Sequence, residues 1–239
     1  MNRQLNNNQT QNLNTVLTFR YVTTDNLAIY RNITHNSAYS ALEILHIAGY
    51  LGKIYDKSYR LLNKSARYYL AQQGLDYVRG TATAPLDEAI YKSRKGDEKK
   101  TPDFIDQQVA IHSAYNELRA ALGSNTKILT GLDTYDIEGI IKPLPGLLVQ
   151  PKAGKHYFVE LTNGEHLFLV RKRIRKYIQN FEDGDWEWDK YPDVYFVRSS
   201  ASDRTRLRKY VEVQMDDNYL DADDFTFHVV GGISSIKSV

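Results

Sequence analysis

Residues 24–54, TDNLAIYRNITHNSAYSALEILHIAGYLGKI, decide the fold expected for the first part of the chain. Thr24 is a residue type that begins helices, and the apolar residues 27–29 follow inside that helix. A polar break at residues 34–36 precedes a second helix over residues 36–48, in which apolar residues recur at helical spacing. They are Ala38, Ala41, Leu42, Leu45 and Ala48. Gly49 is the residue type that ends a helix, so the stretch predicts two helices joined by a short turn.

The sequence on either side completes a compact unit over residues 11–79. A helix is expected over residues 13–19, and the Asn/Gln-rich residues 1–10 before it are expected to be frayed. Two extended segments after Gly49, separated by a turn at residues 61–65, predict a β-hairpin, and residues 71–78 predict a closing helix. Three helices, a hairpin and a closing helix are the order of a winged helix-turn-helix domain.

The remaining sequence predicts a linker and a second, α/β domain. Residues 80–102 are polar, contain Pro, Gly and a charge run, and are interpreted as a linker with one short helix near residues 86–91. Residues 103–239 predict the order α-β-β-β-α-β-α-β. The helices are expected at 104–122, 167–181 and 203–213, and the strands at 127–130, 146–150, 156–161, 194–197 and 225–229. The fold class is therefore α+β.

Composition excludes several classes of protein. The 239 residues are 42% hydrophobic and 25% charged, as in ordinary globular chains, and they include no cysteine. Disulfides, thiolate zinc sites and cysteine nucleophiles are therefore excluded. The N-terminus lacks the apolar segment of a signal peptide, and no window approaches the length of a membrane span. We expect a cytoplasmic protein with no membrane partner.

The first unit predicts binding to double-stranded DNA. The second helix of a helix-turn-helix motif enters the major groove, and the residues opposite its apolar face have side chains that reach base edges or phosphates. They are Asn36, Ser37, Tyr39 and Ser40, with Glu43 placed to accept from a cytosine amine. The expected wing carries cations suited to phosphates, namely Lys53, Lys57, Arg60, Lys64 and Arg67. Removing the charges of Arg60 and Lys64 is expected to weaken binding to all sequences.

Two helices of the second domain carry further basic residues, although the net charge of the chain is only +2. The helix at 167–181 bears Arg171, Lys172 and Arg175, beside Arg173 and Lys176. The helix at 203–213 bears Arg204, Arg206, Arg208 and Lys209. Either face suits a phosphodiester backbone, and either is equally consistent with a solvated helix surface.

Glu160, after the apolar run Tyr157-Phe158-Val159, is the one candidate catalytic residue. Many nucleases hold Mg²⁺ with a carboxylate at a strand end and an Asp from the preceding strand. Here the residue two positions on is Thr162 rather than Lys, and residues 142–146 contain no Asp. These departures favour a structural role for Glu160, with no metal and no cofactor.

Three alternatives remain beside the DNA-binding interpretation. The first is a Mg²⁺-dependent nuclease that uses Glu160 with Asp133 or Asp136. The second is a transcription regulator that dimerises through the second domain, and the third is an adaptor that binds only proteins. His112 and Asn116, one helical turn apart, predict a buried capping role near the junction of the two domains.

Six segments in order resemble the plasmid replication-relaxation family. They are AGYLGKIYD (48–56), ARYYLAQQGLDYV (66–78), IHSAYNELRAAL (111–122), KPLPGLLV (142–149), YFVELTNGEHLFLVRKRIRKYI (157–178) and YPDVYFV (191–197). The resemblance spans roughly residues 13–215. It implies a winged helix joined to a restriction-endonuclease-like core, and a part in plasmid or mobile-element replication, relaxation or mobilisation. It also implies a homodimer or a replication or mobilisation protein as partner.

The same resemblance bears on catalysis. Glu160 matches the family's strand glutamate, whereas the family's Asp falls at Leu144 or Pro145 and is missing. The resemblance therefore implies a nuclease-like core that has lost its catalytic residues and retains DNA binding.

Overall fold

The computed structural model describes residues 4–81, 86–123 and 125–236. The chain separates into two compact units, residues 1–116 and 117–239. The division falls inside a long helix rather than in residues 80–102, where the sequence predicted a linker. The described residues form helices together with a two-stranded and a five-stranded sheet, so the predicted α+β class is confirmed.

The first unit is mainly helical and contains one hairpin. Its helices are α1 (Asn7–Phe19), α2 (Thr24–Arg31), α3 (His35–Ile47), α4 (Lys57–Leu61), α5 (Gln72–Thr81), α6 (Glu88–Arg94) and α7 (Pro102–Leu122). Its strands are β1 (Leu51–Ile54) and β2 (Arg67–Leu70), which pair antiparallel with Leu51 opposite Leu70. An isolated bridge joins Val22, between α1 and α2, to Tyr68 of β2. The connection between α1 and α2 therefore pairs with the hairpin at one residue.

Capping residues set where these helices begin, and they correct two predictions. Asn6 and Gln9 exchange side-chain-to-backbone hydrogen bonds in a capping box, so residues 7–10 are helical and not frayed. Residues 1–3 lie outside the described residues. Thr23, not Thr24, caps α2, and Thr34 caps α3, so the break between these helices comprises residues 32–34 rather than 34–36.

Gly49 ends α3 as predicted. Its φ is +81°, a region that favours glycine. Its N–H donates to the carbonyl oxygen of His46, and the N–H of Tyr50 donates to that of Leu45, which together form a Schellman motif. The motif turns the chain directly from α3 into β1, so the hairpin begins at the end of this helix.

The predicted hairpin is confirmed, but its strands are shorter than expected. Residues 57–60, predicted as extended, form α4 together with Leu61 of the predicted turn, because the Asp56 side chain accepts from the backbone N–H groups of Ser58 and Tyr59. Tyr59 is buried and anchors this short helix. The connection between β1 and β2 therefore presents a helix to solvent.

Residues 88–99, within the predicted linker, pack on the first unit. Arg20 donates to the Asp97 carboxylate at 2.7 Å, and the Tyr21 hydroxyl donates to the Asp97 carbonyl oxygen at 2.6 Å. Tyr91 of α6 is buried and donates to Asp76 at 2.5 Å. The helix predicted near 86–91 is α6, whereas residues 82–85 of the predicted linker lie outside the described residues.

The second unit contains a five-stranded mixed sheet. Its strands are β3 (Lys127–Thr130), β4 (Leu147–Gln150), β5 (Tyr157–Leu161), β6 (Asp193–Val197) and β7 (Phe227–Val230), in the spatial order of the sequence. The pairs β3–β4 and β4–β5 are antiparallel, and β5–β6 and β6–β7 are parallel. The predicted strands are confirmed, the last of them displaced by one or two residues.

Two helices, α8 (Leu167–Asp183) and α9 (Ala201–Asp217), connect the parallel strands. Their apolar stripes lie in one buried cluster with the sheet, in which Phe158 and Phe196 from the strands accompany Ile174, Tyr177 and Leu207 from the helices. Each helix begins just after a strand ends. The N-termini of α8 and α9 therefore lie at the edge of the sheet formed by the carboxyl ends of β5 and β6.

Candidate nucleic-acid interface

The predicted contact residues of α3 share an exposed face. Asn36, Ser37, Tyr39 and Ser40 are exposed, whereas Ala38, Leu42 and Leu45 of the same helix are fully buried. The Ser37 hydroxyl lies 2.8 Å from that of Thr34, beside the start of the helix. The N-terminal half of α3 therefore offers polar side chains to solvent, and its other face holds the core.

The carboxylate of Glu43 in α3 is paired with two side chains of the hairpin. Its carboxylate accepts from Lys53 at 2.7 Å and from the Tyr68 hydroxyl at 2.5 Å. Burial raises the pKa of Glu43, but these two hydrogen bonds together with the nearby positive charge of Lys53 outweigh it and hold the pKa below its usual value. Lys53, predicted to contact phosphate, thus offsets the one acidic residue of α3 and ties that helix to β1.

Two more of the predicted wing cations hold an internal ion pair. Lys64 and Arg67 both contact Asp106 of α7, at 2.6 and 3.1 Å. Burial raises the pKa of Asp106, but the hydrogen bonds and the positive charges of the two cations together outweigh it, so the pKa lies below its usual value. The Arg67 side chain is only 8% exposed and its guanidinium lies 5.1 Å from the ring centre of Tyr59. Arg67 is therefore placed to support the hairpin from inside.

The remaining predicted wing cations, Lys57 and Arg60, lie on α4. Both are exposed, and neither forms an ion pair with any residue in the described parts of the chain. Residues 4–81 contain eight Lys and Arg against four Asp and Glu, so this part of the first unit carries a positive excess. The free positive charge of the hairpin is therefore concentrated at its helical connection. The N-cap Asp56 is the sequence signal that identifies this helix.

Some of the predicted cations of the second unit are free, and others form hydrogen bonds or cation-π contacts within it. Lys172 is exposed, whereas Arg175 donates to the Tyr210 hydroxyl at 3.0 Å, and Arg171 lies 4.9 Å from the ring centre of the same tyrosine. On α9, Arg204 and Arg208 donate to main-chain carbonyl oxygens of Arg198 and Val229, at 3.0 and 2.7 Å. Because of these contacts, the free cations of each helix are separated and do not form one continuous basic face.

Glu160 is held by an ion pair inside the second unit. Its carboxylate accepts from Arg173 at 2.6 Å and from the Tyr177 hydroxyl at 2.5 Å, and the two charged side chains are each 13% exposed. Burial lowers the pKa of Arg173, but Tyr177 and Glu160 outweigh it and raise the pKa above its usual value. Glu160 thus fixes β5 to α8.

The partners proposed for Glu160 under the nuclease alternative lie after β3. Asp133 accepts from the N–H and the hydroxyl of Thr130, both at 2.8 Å, while Asp136 is exposed. Within residues 4–81, 86–123 and 125–236, no three His, Asp or Glu side chains group as a metal site would require. The described geometry therefore gives Glu160 and Asp133 structural contacts.

His112 and Asn116 are both buried, as predicted. The Asn116 amide donates to the carbonyl oxygen of Asn26 at 3.1 Å, within the first unit. The His112 ring stacks on Phe19 with ring centres 3.7 Å apart, and its nitrogens have no hydrogen-bond partner among the described residues. His112 therefore does not cap a helix; it packs as a buried ring.

Comparisons with protein-family models, with curated proteins and with solved structures gave no match to this chain. Among the described residues, none of the helices combines the length and the apolar character needed to cross a bilayer.

Proposed function

We propose that the first unit is a winged helix-turn-helix domain that binds double-stranded DNA. The observation that carries the proposal is the polar, exposed N-terminal half of α3, beside a hairpin whose connection bears free cations. The Val22–Tyr68 bridge supports it, because the segment after the first helix pairs with the hairpin in such domains. In this arrangement α3 enters the major groove and α4 lies along the phosphate backbone.

Three exposed polar residues of α3 then have distinct roles in DNA binding. Asn36 and Ser40, one turn apart, present an amide and a hydroxyl to base edges, and an Asn amide pairs bidentately with adenine. Tyr39, 48% exposed, supplies a hydroxyl for a phosphate or sugar. Sequence preference is therefore assigned to α3.

The electrostatic attraction is assigned to α4. Residues 35–47 contain no Lys or Arg, and Lys53, Lys64 and Arg67 are already paired with carboxylates. Lys57 and Arg60 are therefore the wing cations available to phosphates. Each phosphate contact contributes a salt dependence of roughly −0.9 in the logarithmic slope of affinity against salt.

The broader role is proposed on the resemblance of the sequence to the plasmid replication-relaxation family. A part in replication, relaxation or mobilisation of a plasmid or mobile element accords with a DNA-binding first unit. The order α7-β3-β4-β5-α8-β6 accords with the restriction-endonuclease-like core that the family implies. The Glu160–Arg173 pair supports a core that binds rather than cuts, because the carboxylate already has a cationic partner.

A specific observation favours protein recognition as a second candidate function. The C-terminal half of α3 exposes Ile44 and Ile47, to 46% and 81% of their surface. Apolar groups are less suited to a phosphate-lined groove than to a protein surface. This candidate predicts no salt-dependent affinity for DNA.

The test is binding of the full chain to labelled duplexes over a range of salt concentrations, followed by fluorescence anisotropy. The variant Lys57→Ala/Arg60→Ala is expected to weaken binding to all duplexes and to reduce the salt slope by about 2, one for each lost contact. The control Lys92→Ala/Lys99→Ala removes the same charge from exposed sites on α6 and the turn after it, and should leave the slope unchanged.

Sequence preference is tested separately on α3. Asn36→Ala is expected to reduce discrimination between a selected duplex and an unrelated one by tenfold or more, corresponding to about 1–3 kcal/mol for a bidentate contact. Its salt slope should match that of the unmodified chain. Absence of salt-dependent binding to any duplex would overturn the DNA proposal in favour of protein recognition, and an unchanged slope in the Lys57/Arg60 variant would overturn the role of α4.

A further inference from the structure

A cleft in the second unit opens where the parallel strands end. The loop after β5 leads into α8, the loop after β6 leads into α9, and the space between them has a volume of about 750 Å³. The cleft lies outside the carboxyl ends of the parallel strands, which is the end of an open α/β sheet where ligand sites are found. The volume lies within the roughly 300–1,000 Å³ of small-molecule sites.

Arg198 forms a fixed wall of this cleft. It is buried, and its Nε and Nη2 donate to Asp203 at 3.0 and 2.7 Å, while Nη1 donates to the carbonyl oxygen of Thr162 at 2.5 Å. The hydrogen bond from Arg198 is the main cause of a lowered pKa at Asp203. These two charges offset each other, so the cleft takes its net charge from its other lining residues.

Arg171 of α8 and Arg206 of α9 supply a positive excess. Both line the cleft, which holds three arginines against the two carboxylates of Glu165 and Asp203. The Nε of Arg171 is buried without a hydrogen-bond partner, and its guanidinium is steadied by the ring of Tyr210. Glu165 is the one lining carboxylate other than Asp203. The lining therefore carries a positive excess from two helices, and Arg171 contributes a buried donor that has no partner.

The start of α8 adds a donor and an aromatic ring. His166 accepts at Nδ1 from the N–H of Phe168, at 3.2 Å, so the neutral imidazole carries its proton on Nε2. Phe168 lines the cleft and is 60% exposed. An exposed ring beside cationic groups is the arrangement on which a nucleobase stacks while its phosphate is held.

We propose that this cleft binds a nucleotide unit that ends in a phosphate monoester. Arg171 and Arg206 hold the phosphate, with His166 as a further donor, and Phe168 stacks against the base. Guanidinium groups suit this role because their planar donors match phosphate oxygens in pairs. The same chemistry is offered by a free nucleoside monophosphate and by the 5′-phosphorylated end of a nucleic-acid strand.

Calorimetric titration of the full chain distinguishes these sources. The probes are adenosine monophosphate, adenosine, inorganic phosphate, and a short single-stranded DNA with either a 5′-phosphate or a 5′-hydroxyl. A preference of tenfold or more for a phosphorylated probe over its unphosphorylated counterpart is expected. Preference confined to the monophosphate identifies a free nucleotide as ligand, and preference confined to the oligonucleotide identifies a strand end.

Variants assign the binding to the cleft. Arg171→Ala/Arg206→Ala is expected to lose at least tenfold in affinity, and Phe168→Ala to weaken nucleotide binding while sparing inorganic phosphate. The control Lys152→Ala/Lys190→Ala removes two charges from exposed sites of the second unit outside the cleft, and should bind as the unmodified chain does. Thermal unfolding of every variant verifies that it is folded.

Three results would overturn the proposal: equal affinity for phosphorylated and unphosphorylated probes, equal losses in the control and the cleft variant, or no binding by the folded chain. The proposal stands apart from duplex recognition by α3. The Lys57→Ala/Arg60→Ala variant should bind the monophosphate normally, so either proposal can fail while the other holds.

Discussion

At the scale of single residues, His112 is the titratable group whose burial has the plainest consequence. The ring is fully buried against Phe19, and desolvation lowers its pKa from 6.5 to about 3. The unfolded chain therefore binds a proton at His112 between pH 6.5 and about 3, whereas the folded chain does not. The free energy of unfolding is therefore highest above pH 6.5. Below that pH it falls by about 1.4 kcal/mol for each pH unit because of this residue.

Replacing His112 with Phe tests this directly. His112→Phe keeps a ring against Phe19 and removes the titrating nitrogens, so its unfolding free energy should depend less on pH. Between pH 6.5 and 5 the unmodified chain should lose about 2 kcal/mol more than the variant. Denaturant unfolding at several pH values measures the difference, and parallel curves for the two proteins would refute it.

Burial of His112 and Asn116 was predictable because both fall on one face of a strongly helical segment. The stacking on Phe19 was not, since it joins α1 to α7 across more than 90 residues of chain. The same limit applies to the hairpin cations. Asp106 lies 42 and 39 residues from Lys64 and Arg67, and no local pattern indicates that it pairs with them.

At the scale of elements, the contact between β5 and α8 depends on the Glu160–Arg173 pair. Glu160→Ala leaves the Arg173 charge largely buried without its carboxylate partner, and removing one member of a buried pair costs about 3–5 kcal/mol. The pair is slightly accessible, so the lower end of that range is expected. The unfolding midpoint in denaturant should fall accordingly.

A double replacement separates charge from packing at this contact. Glu160→Leu/Arg173→Leu removes both charges together and should recover much of the stability lost in Glu160→Ala. Glu160→Ala with unchanged stability, but with loss of a Mg²⁺-dependent cleavage shown by the unmodified chain, would instead support the nuclease alternative.

The elements that sequence predicted well are those with long local patterns. The stripe of α8 recurs over four turns, and β3 to β6 are short apolar runs bounded by turns, so each was identified close to its observed bounds. The helix α4 was missed because five residues are too few to show helical periodicity. Its cap at Asp56 was the available signal, and it places Lys57 and Arg60 on a helix rather than a strand.

At the scale of the whole molecule, the boundary between the two units differs from the linker that composition predicted. A polar, charged segment is typical of a linker when the residues that its side chains contact are not known. Residues 88–99 instead form contacts through Asp97 and Tyr91, and the compact first unit extends to residue 116. Residues 101–116 therefore belong to the first unit.

This boundary predicts how the chain can be divided. A fragment of residues 1–122 keeps α7, and with it the Asp106 pairs to the hairpin, the Asn116–Asn26 hydrogen bond and the His112–Phe19 stack. It should unfold cooperatively on heating, as followed by circular dichroism. A fragment of residues 1–101 ends within the linker predicted at residues 80–102, exposes Phe19 and leaves the buried Arg67 without its carboxylate partner. Because losing the partner of a buried charge alone costs several kcal/mol, the shorter fragment should unfold at a much lower temperature or without a cooperative transition. Equal midpoints for the two fragments would show that α7 is not needed for the stability of the first unit.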